Sequence, residues 1–293
     1  MRIVMAGASG FLGRHLSRAL TANGHRVDRL VRRTARDEHE FTWDPYRRRL
    51  DRDLLSGADA VVNLCGVGVA DRRWSPAYKE LIRHSRITPT KVLAEAVAET
   101  HVPVLLNASA VGWYERGDHA VDESAPHAPG FLGETCAEWE EATAAAEQAG
   151  ARVVRLRTGH VVSADSVMIK RLLPIFKLGI GGRFGSGRQY FPWISLPDWL
   201  GAARFALDHD ISGPVNLVGP TPVTNAEFTR ALGRVLRRPA VLAVPGFALK
   251  IAAGEAAVEL LTGAKIIPKA LTDNDYSFAH STVDEALSAA LGR

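Results

Sequence analysis

The stretch "RIVMAGASGFLG" (2–13) decides the fold. Its first five residues form an apolar run that reads as a buried strand, and Phe11 opens a helical pattern that runs to residue 22. At the junction stand Gly7, Gly10 and Gly13 in a GxxGxxG spacing. Gly7 permits a tight turn, Gly10 lets backbone amides approach a pyrophosphate, and Gly13 lets the helix pack closely on the strand. The helix N-terminus adds partial positive charge. Gly7, Ser9, Gly10, Phe11, Leu12 and Gly13 are therefore the candidate phosphate cradle. Glycines at this spacing also occur in ordinary turns, so the strand and helix around them carry the reading.

Outward from this loop, strand patterns over 26–31, 60–64, 103–108 and 152–156 alternate with helical patterns over 76–100 and 131–149. Such alternation builds βαβ units and a parallel sheet covered on both faces. A late apolar run at 214–218 reads as one more strand of that sheet. Beyond residue 222 the pattern turns helical over 224–238, 245–261 and 281–291, the last with a capping-box pairing of Ser or Thr and an acid. The fold class is α/β, a Rossmann-like doubly wound parallel sheet with a smaller, mostly helical C-terminal substrate lobe. Residues 1–162 are expected to form the nucleotide-binding domain, joined by the late strand, and residues 163–293 the lobe.

Composition narrows the function classes. The 293 residues are 46% hydrophobic, enough for a sizeable core, and the net charge of +4 comes from Arg spread along the chain without a basic tail. This gives no footprint for nucleic acid, and a few Arg awaiting the phosphates of a small ligand look the same. Two cysteines and ten histidines show neither a disulfide framework nor a metal-ligand spacing. The N-terminal apolar run is too short for a signal peptide, and charged residues and Pro245 interrupt the apolar stretch 240–262. A cytoplasmic protein with no membrane partner is expected.

The second strand pattern ends "LVRR" (30–33), with Val31 where an acid would bind the ribose 2′-hydroxyl of NAD. Arg32 and Arg33 follow, a pair suited to a 2′-phosphate, so NADP(H) is the expected cofactor. A solvated loop would also hold two arginines. "VVNLCG" (61–66) ends another strand with Leu64, Cys65 and Gly66, small enough for a cofactor to cross the strand end; Cys65 equally suits a small buried position.

With "MAGASGFLG", "VVNLCGVGVADRRW", "SRITPTKVLAEAV", "LLNASAVGWY", "GSGRQYFPWISLPDWL" and "GPVNLVGPTPVTNAEFTRALGRVLRRP", the chain resembles the extended short-chain dehydrogenase/reductases. It is most similar to an atypical, epimerase-like oxidoreductase subfamily whose members carry a C-terminal domain of unknown function. The resemblance implies NADP(H) binding and a homodimer by analogy, and it implies no known substrate. It places Ser109 on the group's catalytic serine, a residue that also suits a strand-end turn, and Trp113 on the aromatic that follows it.

The group's acid/base pair, a Tyr and a Lys four residues apart, falls on Leu132 and Cys136, and no YxxxK occurs anywhere in the chain. Loss of a tuned acid costs on the order of 10²–10⁴ in rate. Replacement donors are Glu134 at the start of the 131–149 helix, Tyr114 just past Ser109, and His127. Each also suits a packing or solvated role. In "GGRFGSGRQYFPWI" (181–194), Arg183 and Arg188 are candidate anion clamps and Trp193 a stacking wall. The same stretch suits a mobile loop with tucked aromatics. The group's His is replaced by Ser195 in "ISLPD" (194–198), leaving Asp198.

Three functions follow from these residues. The first is an NADP(H)-dependent oxidoreductase of a small carbonyl or hydroxyl compound. The others are a nucleotide-sugar epimerase-like enzyme and a catalytically silent NADP(H)-sensing protein.

Overall fold

A computed structural model describes residues 1–293, apart from the side chains at positions 252 and 253. Seven strands make the central sheet: β1 (Arg2–Ala6), β2 (Arg26–Val31), β3 (Glu40–Thr42), β4 (Ala60–Asn63), β5 (Val104–Ala110), β6 (Arg152–Thr158) and β7 (Gly213–Leu217). Their spatial order is β7-β6-β5-β4-β1-β2-β3, and each neighbouring pair is parallel. The order reverses between β1 and β4, so a crevice opens there at the carboxyl edge of the sheet.

Strand side chains alternate between faces, and both faces are covered, which is why these strands read as nearly continuous apolar runs. Ile3, Met5, Val62, Leu106, Val154 and Val215 face one layer. There they meet Leu16 and Leu20 of α1 (Phe11–Ala22) and the Trp199–Ala206 face of a helix that leaves the C-terminal half of the chain. Val4, Val61, Leu105 and Val153 face the other layer, against Val92, Leu93, Ala96 and Val97 of α2 (Pro76–Thr100).

The 131–149 pattern becomes two helices, α3 (Phe131–Glu141) and α4 (Ala144–Gln148). Thr143 turns its hydroxyl back to the Glu140 carbonyl at 2.7 Å, a local bond that competes with continuation of the helix. In the C-terminal half, α5 (Val167–Lys177), α6 (Leu196–Asp208), α7 (Asn225–Leu236) and α8 (Gly246–Ala253) follow. It is α6 that crosses back to cover the sheet. The 245–261 pattern breaks at Gly254, whose φ of +63° ends α8. A second core joins Val162, Ile169, Phe176, Phe191, Phe228 and Leu232 with Leu287 of the last helix. Capping boxes start α7 (Thr224 with Glu227) and that last helix (Thr282 with Glu285). Among the described residues, no helix is long and apolar enough to cross a membrane.

Candidate cofactor crevice

The loop after β1 is built by backbone contact. Gly7 has φ +79°, and a Cβ there would lie 2.5 Å from the Leu64 carbonyl carbon and oxygen, so the β1 and β4 loops touch at the switch point. A Cβ on Gly13 would overlap the Gly7 carbonyl. At Gly10 the only close neighbour would be the Gly7 oxygen at 3.3 Å, so the space outside the loop is open. Gly10 caps α1 without any side-chain hydrogen bond, and the amides of Phe11, Leu12 and Gly13 find no partner among the described residues. Ser9 is exposed, and its carbonyl accepts a 2.7 Å bond from Arg14. Outward-facing amides at a helix N-terminus, beside open space, suit an anion such as a pyrophosphate.

Arg32 and Arg33 are placed differently. Arg33 grips Glu40 of β3 through two bonds of 2.6 Å, and this pairing holds the Glu40 carboxyl down at about 2. Its guanidinium is committed to the sheet edge. Arg32 is exposed, has no hydrogen-bond or ion-pair partner among the described residues, and its charge reaches the Cys65 thiol across the crevice. Burial nonetheless pushes that thiol up to about 12, which makes Cys65 an unreactive, partly exposed lining group. The Leu64 amide bonds the Ala6 carbonyl at 3.0 Å, and Gly66, exposed, follows two residues on.

Ser109 is 3% exposed, and its hydroxyl donates to Glu140 at 2.6 Å. Glu140, on α3, is also held by Arg157 of β6 through bonds of 2.8 and 2.9 Å. Arg157 and Ser109 are register partners on adjacent parallel strands, so both side chains face α3. Burial draws the Arg157 pKa down, but the Glu140 charge and hydrogen bonds outweigh it, and the net direction is upward. The Arg157 guanidinium lies 3.7 Å from the Trp113 ring centroid and donates to the Tyr114 hydroxyl at 2.9 Å, which in turn donates to Asn216 at 2.6 Å. Tyr114 is 4% exposed, and burial pushes its phenol up to about 12. The structure thus brings Ser109, Trp113 and Tyr114 together around a buried ion pair, with both hydroxyls engaged inside the protein.

The remaining candidates are dispersed. Glu134 is exposed on the first turn of α3 and accepts a 3.2 Å bond from the Gly130 amide. His127 is exposed and stands edge-on to Trp113. Arg183 lies over Gly187, Arg188 is exposed, and neither has an ion-pair partner among the described residues. Trp193 is 1% exposed, its indole N–H donates to the Thr221 carbonyl at 2.9 Å, and its ring packs on Gly219, so it has no face free to stack on a ligand. Ser195 caps α6 and donates to Asp198 at 2.5 Å; His280, from the chain's far end, sits 3.0 Å from the Ser195 hydroxyl.

Sequence reading missed three groups. Arg157 and Glu140 are one; an Arg at a core-facing position among Val and Leu in "RVVRLRT" is a signal that a buried acid must lie opposite. Asn63, Thr90 and Asn107 form a buried cluster (2.7 and 2.8 Å from the Asn63 amide) that pins α2 against β4 and β5, with the Trp139 indole on Thr90 at 3.0 Å. The third is Arg86 of α2, whose guanidinium packs against Gly66.

Three comparisons place the chain among known proteins. An "epimerase family protein" of Mycobacterium bovis is 50% identical over 294 residues, covering 99% of this chain and 98% of that protein. Epimerase family protein SDR39U1 of Homo sapiens is 32% identical over 295 residues, 98% of each chain. The crystal structure of human SDR39U1 (isoform 2) with NADPH superimposes with a TM-score of 0.90 at 29% identity, over the full length of both chains. A family model of unknown function, DUF1731, matches residues 244–290. The model of the NAD dependent epimerase/dehydratase family matches residues 3–219, spanning the glycine loop, the sheet and the Ser109 network, and the chain belongs to that family.

Proposed function

We propose that the protein is an NADP(H)-dependent oxidoreductase of a small carbonyl or hydroxyl compound that works without a Tyr/Lys pair. The observation that carries this reading is the crevice itself. A glycine loop with unpartnered helix amides and open space above Gly10 faces an unpaired Arg32, in a chain that matches an NADPH-containing structure end to end. The amides of Phe11, Leu12 and Gly13 would hold the pyrophosphate, and Arg32 the 2′-phosphate. The bound cofactor would supply or accept the hydride.

Proton handling is left to this chain's own residues. Tyr114 and Cys136 are buried, with the Tyr114 hydroxyl engaged by Arg157 and Asn216 and the Cys136 thiol turned to the Ala110 carbonyl, so neither is placed to exchange a proton with a substrate. Glu134 is the exposed acid on the first turn of the helix where the usual tyrosine is absent, and it is the donor this reading favours. A second reading, an NADP(H)-binding protein without turnover, is favoured by one observation: the Ser109 hydroxyl is spent on Glu140.

A panel of aldehydes and ketones offered to the protein with NADPH separates the two. Oxidation of NADPH that Glu134→Gln slows at least about tenfold supports the oxidoreductase. Saturable NADPH binding with no oxidation across the panel supports the silent protein. Epimerisation would interconvert a sugar nucleotide with no net change in NADPH.

A further inference from the structure

Arg86 stands on α2, and its guanidinium donates to the carbonyls of Ile82 and Val67, both at 2.9 Å. It lies 5.1 Å from the Trp139 ring centroid on α3 and packs on Gly66, where an added Cβ would come within 3.2 Å of its Cζ. On the same side of α3, Leu132 and Cys136 face Gly112, just past Ser109. Arg86 and the Cys136 thiol are close enough that each biases the other's ionisation. An arginine from one helix therefore reaches the very face of α3 that lacks its expected lysine, beside the crevice at the end of β4.

Other interior guanidinium groups are accounted for. Arg157 is neutralised by Glu140, and Arg152 donates to three carbonyls at the end of α6 and just beyond, Ala206, Leu207 and Ile211. Arg86 has no carboxylate within ion-pair distance among the described residues, and only two of its N–H bonds are used. Burial pulls its pKa down, yet a guanidinium stays charged at any physiological pH. A half-buried cation offset only at longer range, here by Asp71, is costly unless a ligand completes it. Gly66, with φ +155°, lets the guanidinium lie directly against the loop that follows β4; a Cβ there would force it to shift by a few tenths of an ångström.

We propose that Arg86 replaces the missing lysine: its guanidinium is the fixed cation facing the nicotinamide end of a dinucleotide held in the crevice. The proposal rests on the NADP(H) reading above. A fixed positive charge near the ring penalises the cationic oxidised form more than the neutral reduced form. Arg86 therefore makes the site prefer NADPH over NADP⁺, by about tenfold for unit charges about 6 Å apart at an effective dielectric of about 40.

The test is titration of the full chain with NADPH, NADP⁺ and 2′,5′-ADP, the last reporting the adenosine half alone, in wild type, Arg86→Met and Arg86→Lys. The expected result is that Arg86→Met loses about tenfold of the NADPH preference while 2′,5′-ADP binds unchanged, and that Arg86→Lys retains most of the preference. Arg86→Gln, which keeps a donor for the Val67 carbonyl, serves as the neutral variant if the Met substitution does not fold. An NADPH/NADP⁺ ratio unchanged in the neutral variant overturns the proposal, as does an equal loss in Arg86→Lys. Wild type binding neither nucleotide would overturn the NADP(H) reading itself.

Discussion

Gly10 and Gly13 stand three residues apart with different duties. A methyl group at Gly13 would overlap the Gly7 carbonyl, whereas at Gly10 it meets only that oxygen at 3.3 Å, with backbone at φ −69° that alanine tolerates. Gly13→Ala is therefore expected to destabilise the protein by about 2 kcal/mol or more, as overpacking against backbone does. Gly10→Ala should melt within about 1 kcal/mol of wild type but bind NADPH more weakly, because the methyl intrudes where the phosphates lie. Melting curves with and without NADPH distinguish the two. The Glu140–Arg157 pair allows a similarly local statement. Removing one charge of a buried pair costs about 3–5 kcal/mol, so Glu140→Gln should lower stability by that order in urea unfolding. Ser109→Ala, which deletes one donor to that carboxylate, should cost about 1–3 kcal/mol. A Ser109→Ala variant with wild-type stability would mean that its hydroxyl is free for a ligand.

α3 shows where local reading stops. Its existence, its start at Phe131 and the absence of a Tyr/Lys pair on it are all legible, because they depend on neighbouring residues and periodicity. The partner of Ser109 is not, because Glu140 lies 31 residues away and Arg157 a further 17, brought together only when β5, β6 and α3 pack. The arginine pair is a related case: a doublet after a strand looks free, but the parallel edge strand β3 returns Glu40 to Arg33 and leaves Arg32 alone. Trp193 in a Gly-rich stretch looks like an exposed wall, yet the short strand Trp193–Ser195 pairs with His160–Val162 and carries its ring inside. His160 in that pairing stacks on Phe191 at 4.4 Å, and burial lowers its pKa to about 4. Its folded-state value lies below the ordinary 6.5, so the neutral form supports the fold fully above pH 6.5, and that contribution is lost as pH falls toward 4. Between pH 7.5 and 4.5 the wild type should lose more stability than His160→Phe; equal losses would mean that His160 titrates alike in the folded and unfolded states.

For the molecule as a whole, a doubly wound parallel sheet was legible in the alternation of apolar runs and helices, whereas the three-residue edge strand β3 was too short to stand out; the strand order fixes where a ligand sits, at the reversal between β1 and β4. The C-terminal half was less legible. Its pairings are two- and three-residue strands and its helix α6 belongs to the sheet's cover, contacts that only the assembled chain defines. The account's central claim is about the contents of that crevice: the protein binds NADP(H) through the glycine loop and Arg32. The most direct measurement is a fluorescence titration with NADPH and NADH of wild type, Arg32→Ala and Arg33→Ala. The expected result is NADPH bound in preference to NADH, with that preference cut about tenfold or more in Arg32→Ala and largely kept in Arg33→Ala. Equal affinity for NADPH and NADH in wild type, or a preference that survives loss of Arg32, would contradict it.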